Sequence, residues 1–99
     1  HPTRSAVRSL STLLRGVDVL VVIEVADTTA EFDRRIKLPL YAQYSIPEVW
    51  LIDQKRGTLE IHLEPSGNGF RKRLQPDRDD IVSPQSLEDV QFPLREIWP

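Results

Sequence analysis

The sequence predicts a mixed-sheet domain of the α+β or α/β class. Three observations predict it. A β-branched apolar run fills residues 17–25, helical spacing follows at once, and several short strand-like segments occupy residues 47–74. With 99 residues the chain has room for one small domain. Its 39% hydrophobic and 28% charged composition supports a packed core and excludes global disorder.

Each element has a local reason. In "RSAVRSLSTLL", residues 4–14, Val7, Leu10, Leu13 and Leu14 recur at helical spacing, and Gly16 ends the segment. "VDVLVVIEV", residues 17–25, is apolar on both faces, as expected of a central strand covered on both sides. Thr28 and Glu31 have capping-box spacing, so a helix is expected over 29–44. Phe32, Ile36, Leu40 and Tyr44 form its apolar stripe, expected to face the core. Pro39 lacks an N–H donor and should bend or divide this helix.

"PEVWLID", residues 47–53, reads as a second doubly covered strand, with Trp50 in the core. After a turn at Lys55-Arg56-Gly57, "TLEIHL" alternates. Leu59, Ile61 and Leu63 should face in, and Thr58, Glu60 and His62 out, which makes His62 a surface histidine. "PSGNG" carries hairpin chemistry and leads to a short edge strand, "FRKRL". "QPDRDDIVSPQ" is a polar connection, and "LEDVQFPLREIWP" closes with a short strand and a helical turn near 94–98.

Charge and composition narrow the function classes. The net charge is −2, without the basic excess of a dedicated DNA binder. Cations nevertheless gather at Arg4, Arg8 and Arg15 and again at Arg71, Lys72 and Arg73, as either solvated surface or phosphate contacts. There is no cysteine, so neither a disulfide framework nor a thiolate zinc site. No apolar run reaches the roughly 20 residues of a membrane span, and residues 1–16 lack the apolar core of a signal peptide. A bacterial cytoplasmic location is expected. The chain begins at His1, consistent with processing or a fragment.

Glu24 is the acid that breaks the pattern. Alternation puts Asp18, Leu20, Val22 and Glu24 on one strand face. A buried, ionised, unpaired carboxylate costs several kcal/mol, so Glu24 requires a cation, a metal or hydrogen-bond donors. Lys37 is positioned to supply the cation. It lies one helical turn after Asp33 and beside the apolar stripe, so its stem can pack while its head reaches over the sheet. An exposed Asp33–Lys37 pair is the plainer role, worth only a few tenths of a kcal/mol.

"DVLVVIEVADTTAEFDRRIKLPLYAQYSIPEVWLID" resembles the bacterial restriction-endonuclease family of the PD-(D/E)XK nuclease superfamily. The shared pattern is an Asp, a hydrophobic strand ending Glu-Val, a Ser/Thr-rich cap, Asp-Arg, Lys, Tyr-Ala, Ile-Pro-Glu, a Trp and a closing Asp. It runs from Asp18 to Trp98 and is densest over 18–53. The resemblance implies a restriction-endonuclease-like mixed sheet flanked by helices, and a metal-dependent DNA endonuclease. Mg²⁺ or Mn²⁺ is the implied cofactor, Glu24 its acidic ligand, and Lys37 a lysine displaced onto the helix that assists the attacking water. The metal would acidify that water and neutralise charge on phosphorus.

The sequence departs from that pattern in two ways. The usual Glu-x-Lys is absent, because Val25 and Ala26 follow Glu24. The family's earlier Pro-Asp is also absent before residue 76, and Pro76-Asp77 sits in a polar loop. Asp18 cannot replace it. Six residues of extended strand span roughly 20 Å, whereas Mg²⁺ ligands lie about 2.1 Å from the ion. Asp27 can come closer to Glu24 if the chain turns, and is the second candidate metal ligand; its competing role is helix capping.

Against that family pattern, residues 1–16 are expected to be a divergent N-terminal segment, and 17–99 a single, partial nuclease-like domain lacking part of the N-terminal half. An edge left open would favour a homo-oligomer. Two functions stay open: a DNA endonuclease, and a catalytically dead nuclease-fold binding or assembly module.

Overall fold

The computed structural model describes residues 20–97. The expected helix over 4–14, its arginines, Asp18 and Trp98 lie outside the described residues.

The sheet follows from the three apolar segments. β1 (Val22–Ala26) pairs in parallel with β2 (Glu48–Asp53), Val22 opposite Val49 and Ala26 opposite Asp53. β2 runs antiparallel to β3 (Thr58–Ser66), and β3 to β4 (Gly69–Leu74), giving the order β1-β2-β3-β4. All six residues of β2 are buried, as its doubly apolar sequence requires. β1 is an edge among the described residues, not the central strand expected. The connection 75–91 is not wholly irregular. It carries β5 (Ile81–Val82), which pairs with β6 (Phe92–Pro93), followed by a 3₁₀ turn, Leu94–Glu96.

The two sheet faces differ in chemistry. On one, Trp50, Ile52, Leu59, Ile61 and Leu63 pack with Leu94, and the β5–β6 pair covers them. Trp50 meets Phe92 edge to face at 5.5 Å. Each such side chain contributes about 1.5–3 kcal/mol on burial, making this the apolar core. Even here a carboxylate is buried: Glu48 accepts the Trp50 indole N–H at 2.7 Å and the Gln85 backbone N–H at 2.8 Å.

The helix covers the other face. It comprises α1 (Ala30–Phe32), a π-helical turn (Asp33–Lys37) and α2 (Leu38–Gln43). In the π turn the Leu38 N–H reaches back to the Asp33 carbonyl. Pro39 explains its place. A proline ring collides with the carbonyl four residues earlier, and widening the turn ahead of it relieves the collision. The helix thus continues through Pro39 with altered winding. It begins at Thr29, which makes no side-chain cap bond, so the Thr28–Glu31 capping box does not form.

The apolar stripe does not face the core. Phe32, Ile36, Leu40 and Tyr44 are 44–52% exposed, while Ala30, Asp33, Tyr41 and Ala42 are buried. Charge is the reason. Glu24, Asp33, Asp53 and Glu60 are all buried between helix and sheet. Turning the helix to bury its stripe would strip them of Arg34 and Lys37. Uncompensated buried charge costs several kcal/mol per ion, more than half-exposing four apolar side chains. For the same reason Glu60 and His62 do not face solvent. They point from β3 toward the helix and are buried.

Candidate active site

Alternation along the paired strands brings acids together. Glu24, Leu51 and Glu60 form one cross-strand row on the helix side; Ala26, Asp53 and Thr58 form the next. The helix supplies cations above both rows.

The first cluster surrounds Glu24, 1% exposed. Lys37 Nζ lies 3.5 Å from Glu24 Oε1 and 3.3 Å from Asp33 Oδ1. The Tyr41 hydroxyl donates to Glu24 Oε2 through a short hydrogen bond. Thr29 Oγ1 lies 3.4 Å from Asp33 Oδ2. One ammonium therefore bridges two buried carboxylates, and both Glu24 oxygens have partners. The Lys37 side chain retains 19% exposure, so it is the solvent-facing member of the cluster.

The second cluster centres on Glu60. Arg34 donates to Glu60 Oε2 from Nε at 2.9 Å and Nη2 at 2.6 Å. Its Nη1 meets Glu31 Oε1 at 2.6 Å, and its Nη2 lies 3.5 Å from Asp53 Oδ2. His62 Nε2 lies 3.0 Å from Glu60 Oε1, and Arg73 Nη2 lies 3.4 Å from Glu60 Oε2. Burial pushes the Glu60 carboxyl up, but hydrogen bonds with His62 and Arg34, and the charges of Arg34 and Arg73, outweigh it. They lower its pKa from 4.5 to about 2. The hydrogen bond to Glu60 is also the main reason the Arg34 guanidinium is raised further above its ordinary value, against the opposing effect of burial.

The structure thus brings Glu24 and Lys37 together, and Asp27 does not join them. After β1 the chain bends, and Asp27 is exposed, lining a separate cavity with Arg34 and Asp53. Alternation explains it: Glu24 and Ala26 point under the helix, and the strand ends before an acid at 27 can turn back toward Glu24. Asp33 and Tyr41 complete the cluster, and neither was a candidate site residue from the sequence. Their spacing from Lys37, four residues on either side, was the available signal.

A divalent metal is implied by the family class. The donor chemistry of the described residues does not fit one as it stands. Tyr41 and Lys37 occupy Glu24, Lys37 also occupies Asp33, and among the described residues no three His, Asp or Glu side chains converge to hold an ion.

A mixed sheet with a helix-covered parallel strand pair, and a buried acid–lysine contact beneath the helix, is compatible with the restriction-endonuclease-like class. The chain belongs to the Uma2 family, described as "Putative restriction endonuclease", whose family model matches residues 3–95. No curated protein and no solved structure matches it. No helix among the described residues is long and apolar enough to cross a membrane.

Proposed function

We propose that this chain is a nuclease domain that hydrolyses DNA phosphodiesters at the Glu24–Lys37 cluster, with Mg²⁺ or Mn²⁺ as the cofactor that family membership suggests. Family membership supports the reaction class. The single observation that carries the site is the Lys37 ammonium held between Glu24 and Asp33, partly open to solvent. In hydrolysis, water bonds to phosphorus and gives up one proton to solvent, the P–O ester bond breaks, and the departing oxygen takes up a proton from solvent. Lys37 would donate to a non-bridging phosphoryl oxygen as negative charge accumulates there. Glu24 and Asp33 would hold that ammonium in place, while Tyr41 fixes the Glu24 carboxylate's orientation. Among the described residues, the cluster as it stands does not offer such a metal a complete set of donors.

Supercoiled plasmid with Mg²⁺ or Mn²⁺, against an EDTA control, tests this. Nicking or linearisation that disappears in E24Q and K37M is the expected result. Folded protein that leaves the plasmid intact, or cleavage unchanged in both variants, overturns it.

A second reading is favoured by the closed state of the cluster: a nuclease fold retained as a binding or assembly module, with Glu24–Lys37 a structural pair. Calorimetry separates the two. Sub-millimolar Mg²⁺ or Mn²⁺ binding lost in E24Q supports the nuclease, and its absence supports the module.

A further inference from the structure

The Glu24 cluster leaves a second feature unexplained, a cavity of about 430 Å³ at the carboxyl ends of β1 and β2. Open sheets with parallel strands bind ligands at this end. Its lining carries both signs: Asp27 and Glu31 are exposed acids, and Asp53 is a buried one. Arg34 is committed to Glu31, Glu60 and Asp53. Asp53 also accepts the Arg56 backbone N–H at 3.1 Å. Lys55 and Arg56, on the turn between β2 and β3, are exposed and form no ion pair among the described residues.

Arg78 lies close to this turn. Gly57 has φ +67°, and a Cβ there would lie 2.8 Å from Arg78 Nη2. The Arg78 guanidinium therefore lies against the turn, and the left-handed φ of Gly57 is what favours glycine there.

We infer that the 54–57 turn, through Lys55 and Arg56, grips the DNA sugar-phosphate backbone beside the phosphate held at Lys37. The inference rests on the nuclease reading for its partner, but it concerns binding rather than cleavage. Phosphate contacts of this kind position a duplex without reading its sequence.

Fluorescence anisotropy with a labelled duplex in EDTA tests it, since binding is then read without cleavage. K55A/R56A should bind on the order of tenfold more weakly at low salt. The slope of log affinity against log salt should fall by about 1.8, two phosphate contacts' worth. R71A/K72A removes the same charge from exposed positions on the far strand and should change binding much less. Equal losses in the two double variants, no loss in K55A/R56A, no duplex binding by the wild type, or tighter binding of a single-stranded RNA competitor would each overturn the inference. Turn-dependent DNA binding without cleavage in Mg²⁺ would instead remove the nuclease reading and leave this one standing.

Discussion

The Lys37 ammonium lies 3.5 Å from Oε1 of Glu24, although thirteen residues and a change of element separate them. The same ammonium is 3.3 Å from Asp33, so its removal leaves two buried carboxylates with no cation between them. Breaking a buried pair in this way costs about 3–5 kcal/mol. K37M should therefore lose stability on that scale in urea or guanidinium denaturation. E24Q should lose less, because Lys37 keeps Asp33. The E24Q/K37M double variant should show coupling above about 1 kcal/mol. Additive losses would mean the contact carries no net energy.

Tyr41 tests the other half of the Glu24 environment. Its hydroxyl donates to Glu24 Oε2, and the residue is buried. Y41F keeps the ring and removes the donor. A hydrogen bond to a charged group contributes about 1.5–3 kcal/mol, so a loss of that size is expected in the denaturation midpoint. If the nuclease reading holds, cleavage should fall in Y41F while duplex binding in EDTA stays unchanged.

The Glu60 cluster gives a pH signature. Its carboxyl, ordinarily near 4.5, is held at about 2 in the folded protein despite burial, through His62, Arg34 and Arg73. Folded protein thus binds this proton more weakly than unfolded chain. The stabilisation is fully present above pH 4.5 and is lost as pH falls from there toward 2. It amounts to about 3 kcal/mol. In urea denaturation at several pH values, wild type should lose stability across that window more steeply than E60Q, and the gap between them should narrow toward pH 2. Parallel curves would contradict the assignment.

Much of this arrangement was legible in the residues. The strands expected within 17–25, 47–53 and 58–63 from β-branched runs and alternation are observed at 22–26, 48–53 and 58–66, the last extending into the expected loop, and the convergence of Glu24 with Lys37 follows from the cost of a lone buried acid. Hydrophobic pattern misled in two places. It assigned the Phe32–Ile36–Leu40–Tyr44 stripe to the core, and Glu60 and His62 to solvent. Both errors have one origin. The helix–sheet interface is assembled from ion pairs, and pairing across elements leaves no periodic mark in a single sequence. Nor does local spacing reveal the π turn, which depends on how Pro39 is accommodated.

The exposed stripe is itself testable. Ile36 is 51% exposed and Leu51 1% exposed, on opposite sides of the helix–sheet interface. I36Q should change stability by no more than about 0.5 kcal/mol, and L51A should cost about 2–5 kcal/mol. A loss in I36Q as large as in L51A would restore the stripe to the core.

The helix ends at a position where the sequence is not the best available. Ser45 has φ 58°, in the left-handed region. Its N–H bonds the Ala42 carbonyl at 2.9 Å, and the Ile46 N–H bonds the Tyr41 carbonyl at 3.0 Å. This six-to-one bond is the helix stop in which glycine is usual, because a Cβ is disfavoured at that φ by about 1–2 kcal/mol. Glycine loses more backbone entropy on folding, which offsets part of the gain. S45G should stabilise the domain by about 0.5–1 kcal/mol, seen as a higher denaturation midpoint with an unchanged slope. S45A keeps the Cβ and should gain nothing. If alanine stabilises as much as glycine, strain at Ser45 is not the cause.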